Sequence, residues 1–165
     1  MKYRSIMLSL GLSLACLSIG ACSSPTQADG SFKPQHTPLI YFAGGKNGEP
    51  DENSCSIEIK KGTYKFNGGD NNSCTNDDMY FYRVDNAPSA ALITLHAEDD
   101  CREEGGDWHF QLRIYINPTT TGWLKISDLK NYNAGDIVTA GVMYQTGKYE
   151  KGSVGGKLSC VTIDY

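Results

Sequence analysis

The run Trp108-His109-Phe110-Gln111-Leu112-Arg113-Ile114-Tyr115-Ile116 alternates large apolar side chains with polar or amphipathic ones along its whole length. Successive side chains of an extended chain point to opposite faces. Trp108, Phe110, Leu112, Ile114 and Ile116 therefore share one side, and His109, Gln111, Arg113 and Tyr115 the other. A helix would scatter both sets around its circumference, so the pattern predicts a strand with one face in a core. Full burial of each large apolar side chain is worth about 1.5–3 kcal/mol, enough for this one strand to supply a substantial part of the hydrophobic stabilisation. Glu104-Gly105-Gly106-Asp107, just before it, is a turn signal because glycine accepts positive φ without steric cost.

The same short period recurs outward from this segment. Strands are predicted at Leu39–Ala43, Cys55–Lys60, Thr63–Phe66, Met79–Val84, Ala90–Ala97, Trp123–Ile126, Ile137–Tyr144 and Lys157–Asp164, with a further turn at Asn67-Gly68-Gly69-Asp70-Asn71-Asn72. No amphipathic helix longer than a turn is visible. Many short strands broken by Gly and Asn predict an all-β fold, a small disulfide-stapled antiparallel sandwich or barrel.

The chain has 165 residues, with 15 Lys plus Arg against 19 Asp plus Glu, a formal net charge of −4. That length fits one domain. A nucleic-acid partner is excluded on charge, since neutralising phosphates needs a basic patch and no Lys/Arg cluster exists.

Lys2 and Arg4 precede an apolar run from Ile6 to Leu17, followed by Ser18-Ile19-Gly20-Ala21-Cys22. Basic start, apolar core and small residues are the layout of a secretory signal peptide, too short to span a bilayer stably. Its end resembles the lipobox of bacterial lipoproteins. The resemblance implies a signal peptide over 1–21, acylation of Cys22, and attachment to the outer membrane facing the periplasm, because Ser23 rather than Asp follows the lipid cysteine. Several acyl chains on one residue anchor stably. Removing the signal peptide takes two of the basic residues and none of the acidic ones, so the mature chain is more acidic still. Ser23 to Pro38, with Pro25, Pro34 and Pro38 among small polar residues, reads as a flexible tether completing a lipidated N-terminal segment over 22–38. The working domain is 39–165.

Cys55, Cys74, Cys101 and Cys160 remain in that domain, an even number in an exported chain, and predict two disulfides. Metal ligation would favour C-x-x-C spacing or nearby histidines, and the sequence has neither; no metal or cofactor is expected. If Met79–Val84 and Ala90–Ala97 form a hairpin around Asp85–Ser89, Cys74 and Cys101 stand equidistant from its turn. That favours Cys74 with Cys101 and Cys55 with Cys160. The alternative is Cys55 with Cys74 and Cys101 with Cys160.

Three functional classes remain. For catalysis the candidate bases are His96 and His109, since His36 lies in the tether; His96 stands near Glu98 and Asp99. There is no Gly-x-Ser-x-Gly elbow, His-Glu-x-x-His pair or phosphate loop. For cation binding, Asn71-Asn72-Ser73-Cys74-Thr75 resembles the calcium loop of βγ-crystallins, although the next place holds Asn76 instead of Ser and the upstream aromatic and glycine signature is out of register. The resemblance implies an envelope calcium module; the plainer reading of the acidic turns is solvated surface. For protein binding, Tyr80 and Tyr82 on one strand and His109, Arg113 and Tyr115 on another would make a patch if the two strands are neighbours, and Tyr and Arg are favoured interface anchors. Their alternative is to pack beneath loops or a second sheet. The expectation is a lipid-anchored periplasmic protein-binding domain. In size, anchor and acidity it is similar to the lipoprotein immunity proteins that neutralise toxins of interbacterial secretion systems, a likeness of class without a shared motif. Its partners would be another protein, a toxin in the most concrete form, and the membrane through the lipid.

Overall fold

The computed structural model describes residues 36–68 and 72–165. The signal peptide, Cys22 and most of the tether lie outside the described residues. The last of the tether is tied down: His36 O accepts from Asn86 Nδ2, and Pro38 O from Ile59 N at 2.8 Å.

Among the described residues ten strands build two antiparallel sheets. They are β1 (Leu39–Lys46), β2 (Glu49–Glu58), β3 (Gly62–Lys65), β4 (Phe81–Asp85), β5 (Leu92–His96), β6 (Trp108–Ile114), β7 (Leu124–Lys125), β8 (Ile137–Thr139), β9 (Val142–Tyr149) and β10 (Cys160–Asp164), with a 3₁₀ helix over Ile126–Asn131. The smaller sheet runs β2-β1-β4-β7 and the larger β3-β10-β5-β6-β9-β8. The inner faces share one core: Ile40, Phe42, Ile57, Tyr82 and Val84 from the smaller sheet meet Ile93, Leu95, Phe110, Leu112, Val161 and Ile163 from the larger. This is the expected all-β, disulfide-stapled sandwich.

The alternation of β6 is realised. Trp108, Phe110, Leu112 and Ile114 are each 1% exposed, with Trp108 stacked on Phe110 at 5.1 Å and its indole N–H donating to Ser153 O. Ile116 departs from the expected core set at 46% exposure, because β6 ends at Ile114 and the chain turns away into Asn117-Pro118.

The expected hairpin between the fourth and fifth strands does not form. β4 pairs with β1 and β7, whereas β5 pairs with β10 and β6 in the other sheet. Between them Asn86 (φ 53°) and Ala90 (φ 70°) redirect the chain, and Ala87 N donates to Thr119 O, so the segment crosses from one layer to the other. This overturns the pairing of Cys74 with Cys101 and of Cys55 with Cys160. The disulfides are Cys55–Cys74, Cα to Cα 5.1 Å, and Cys101–Cys160, 5.4 Å. Cys55 and Cys160 sit on strands of different sheets, and Cys74 and Cys101 flank no common hairpin.

Two tight turns set strand limits that differ from the expected ones: β1 and β2 both run on to meet at the first, and the second splits one expected strand in two. Asn47 (φ 53°) and Gly48 (φ 84°) turn β1 into β2 with both central residues left-handed, the geometry that matches strand twist. Likewise Gly141 (φ 86°) breaks Ile137–Tyr144 into β8 and β9.

Candidate protein-binding face

The outward face of the larger sheet is organised in rows set by strand register. One row runs Asp164, Leu92, Arg113, Met143, Ile137 across β10, β5, β6, β9 and β8. Arg113 is exposed, Ile137 is 53% exposed and Leu92 and Met143 are half-buried; Tyr115, just past the end of β6, is 43% exposed. No carboxylate among the described residues pairs with Arg113, although Asp164 in its row is taken by Lys61 at 2.7 Å. That contact, a hydrogen bond from the ammonium, holds the Asp164 carboxyl below the usual carboxylate range. The result is an unpaired guanidinium among apolar side chains on a rigid sheet.

The next row is Thr63, Thr162, Thr94, Gln111, Thr146. Gln111 Nε2 donates to Thr94 Oγ1 at 3.1 Å. Thr63, Thr162, Thr94 and Gln111, with Lys61 and Glu103, line a trough of about 360 Å³.

A third row holds Lys65, Cys160, His96, His109 and Lys148. The loop between β5 and β6 folds over it, pinned by Cys101–Cys160 and braced by Arg102 on Glu98 (2.9 Å) and Asp100 (3.0 Å). His96 beneath it is 1% exposed, with Nε2 3.1 Å from Thr162 Oγ1. Burial pushes its pKa below the ordinary imidazole value, against the pull of Glu103, so the ring is neutral at pH 7. Half-buried His109 has Nε2 3.9 Å from Glu103.

Of the five residues expected to form one face, His109, Arg113 and Tyr115 share this surface. Tyr80 and Tyr82 do not join them, because β4 and β6 belong to different sheets. Tyr82 is 0% exposed and part of the core, and desolvation pushes its phenol pKa far up. Tyr80 lies at the smaller sheet among three glycines: a Cβ at Gly45, Gly155 or Gly156 would come within 2.8, 2.9 and 2.6 Å of its ring. It packs against those glycines and stays 40% exposed.

No family model, curated protein or solved structure matches this chain.

Leu92, Met143 and Ile137 complete the face and were not singled out by sequence reasoning. Ile137 was readable as the start of a strand, but its outward direction depends on the break at Gly141. The acidic turns are spent locally. Asn72 Oδ1 accepts from Cys74 N at 3.1 Å while its Nδ2 donates to Lys65 O at 3.0 Å, and Asp77 receives Lys157 and Ser159, both at 3.1 Å. Asn71 lies outside the described residues, and among those described no three His, Cys, Asp or Glu side chains gather as metal ligands.

The smaller sheet carries a second, separate feature on its outward face. Tyr41 and Arg83 are direct register partners, and the Arg83 Cζ lies 4.1 Å from the Tyr41 ring centroid and 5.2 Å from that of Trp123.

Proposed function

We propose that this chain is a lipid-anchored protein-binding module of the bacterial envelope, held at the outer membrane by Cys22 and facing the periplasm. Its partner docks on the outward face of the larger sheet. The observation that carries this reading is the register row that sets unpaired Arg113 between Leu92 and Met143, with Ile137 and Tyr115 exposed beside it. Arg and Tyr surrounded by apolar area are the composition of interface hot spots, and a backbone already paired in a sheet loses little freedom on docking. In its most concrete form the module is inhibitory, like the immunity-type lipoproteins it is similar to: it occludes a toxin and needs shape and charge, with no proton transfer asked of His96 or His109.

Two arms test this. Cys22→Ser should release the protein from the outer-membrane fraction; equal recovery with wild type removes the anchor. Capture of the periplasmic partner should fail for Arg113→Glu combined with Ile137→Asp while the melting temperature stays put. A folded double variant that captures the same protein as wild type places the interface elsewhere.

A further inference from the structure

On the opposite side of the sandwich, and independently of the face just proposed, Arg83 has no counter-charge. It makes no ion pair and no hydrogen bond among the described residues. Asp85, two residues along β4 on the same side, is engaged by Thr120 Oγ1 at 3.0 Å. Of the Arg83 nitrogens Nε is cut off from water and without a partner, whereas the two terminal ones are not fully buried. The guanidinium carbon lies 4.1 Å from the Tyr41 ring centroid and 5.2 Å from that of Trp123, within cation–π range of both. With Nε enclosed, the donors left for a ligand are those of the two terminal nitrogens, the end of the fork from which a planar carboxylate accepts two parallel hydrogen bonds.

The backbone beneath is a paired interior strand, and the two ring contacts restrain the side chain that it carries before any ligand arrives. Pre-organisation of this kind removes the ordering cost that makes surface arginines poor receptors. Trp123 is 38% exposed and Tyr41 half-buried, which leaves apolar ring area beside the charge for the carbon stem of an acid. We infer that Tyr41, Arg83 and Trp123 form a receptor for a single carboxylate carried by an acidic side chain of a partner protein.

The test is a titration of the full mature chain, ¹⁵N-labelled and purified in detergent, followed by NMR at the Trp123 indole N–H and the Arg83 Nε–H. The probe is acetyl-Gly-Glu-Gly-amide; acetyl-Gly-Gln-Gly-amide and inorganic phosphate are the controls. Trp108, buried with its N–H on Ser153, is the internal reference. The expected result is a saturable shift of both signals at millimolar Glu peptide, at least tenfold weaker with either control, with Trp108 unmoved. Arg83→Lys keeps the charge but loses the fork, and should abolish the Trp123 shift. Should that variant fail to fold, Trp123→Leu, read at Arg83, should weaken binding several-fold. No shift at tens of millimolar Glu peptide overturns the proposal. So does an equal response to the Gln peptide or to phosphate, or a folded Arg83→Lys that responds as wild type. Arg113 and Ile137 variants should leave the titration unchanged, so failure here and failure of the large-sheet face are separate results.

Discussion

β6 and β4 are both interior strands, yet they spend their two faces differently. On β6 four consecutive inward side chains are each 1% exposed, while His109, Gln111 and Arg113 between them meet the solvent side. On β4 Tyr82 and Val84 fill the core, but outward Phe81 is also covered, at 5% exposure, sharing a hollow with Tyr80, Lys125 and Ser127. A strand with one wet face offers a broad docking surface supported by a dry one. A strand covered on both faces has only a gap to offer, and on β4 that gap is Arg83.

The contrast is sharpest in stability. Phe110→Ala should cost about 3–5 kcal/mol in urea unfolding, through lost transfer energy and the cavity left behind. Arg113→Ala, on the other face of the same strand, should cost less than about 0.5 kcal/mol. Similar losses for the two would mean that the outward face of β6 is not free. The staples extend the same comparison, since Cys101–Cys160 pins the loop over the larger sheet and Cys55–Cys74 serves the smaller. Replacing both cysteines by serine should cost about 4 kcal/mol for the former, whose loop spans 59 residues, and about 3 for the latter, which spans 19. Peptide mapping of the unreduced protein should link Cys55 to Cys74. A Cys74–Cys101 peptide would contradict the crossing of the chain between sheets.

How much of this was legible follows from the same difference. Strict alternation on β6 names both the core and the outward set, because one side is wet. Across Met79–Val84 both parities carry aromatics, so the sequence does not say whether Tyr82 or Arg83 faces out. The hairpin inferred there, and the disulfide pairing resting on it, fail for a physical reason: two consecutive strands with a short connection can also belong to different layers, and here positive φ at Asn86 and Ala90 and the Ala87–Thr119 bridge accompany the crossing. Asn47-Gly48 was the opposite case, a strong hairpin signal in plain view that would have given β2 its early start. The row of Leu92, Arg113, Met143 and Ile137 joins two pairs of consecutive strands, β5 with β6 and β8 with β9, through the non-consecutive pairing of β6 with β9, and that pairing is not written in the local sequence.

Protonation separates the faces further. The His96 pKa is lowered by burial, so below the ordinary imidazole value of 6.5 the unfolded chain binds a proton that the folded one resists. Stability should therefore fall as pH drops from 6.5 toward the folded value and be indifferent to this group above it. Thr162, Glu103, His109, the Arg102 backbone and Asp100 are the groups facing it. His96→Gln should flatten that slope in melting curves from pH 7 to 5; an unchanged slope would assign it to other groups. A small effect of opposite sign is expected at Tyr82, whose buried hydroxyl has no partner among the described residues. Tyr82→Phe should change stability by less than about 1 kcal/mol, in the stabilising direction, since it removes an unsatisfied group. A clear loss would reveal a hydrogen bond to that hydroxyl.

The most direct measurement is site-specific photo-crosslinking in living cells, with a photoreactive phenylalanine placed at Tyr115 or Ile137 on the large-sheet face and at exposed Ser153 in the loop after β9. Docking on the large-sheet face predicts one discrete adduct from 115 and from 137 and none from 153, weakened at least thirtyfold in apparent affinity by Arg113→Glu, about 2 kcal/mol. Adducts from 153 alone, or adducts from 115 and 137 that Arg113→Glu leaves intact, would contradict it.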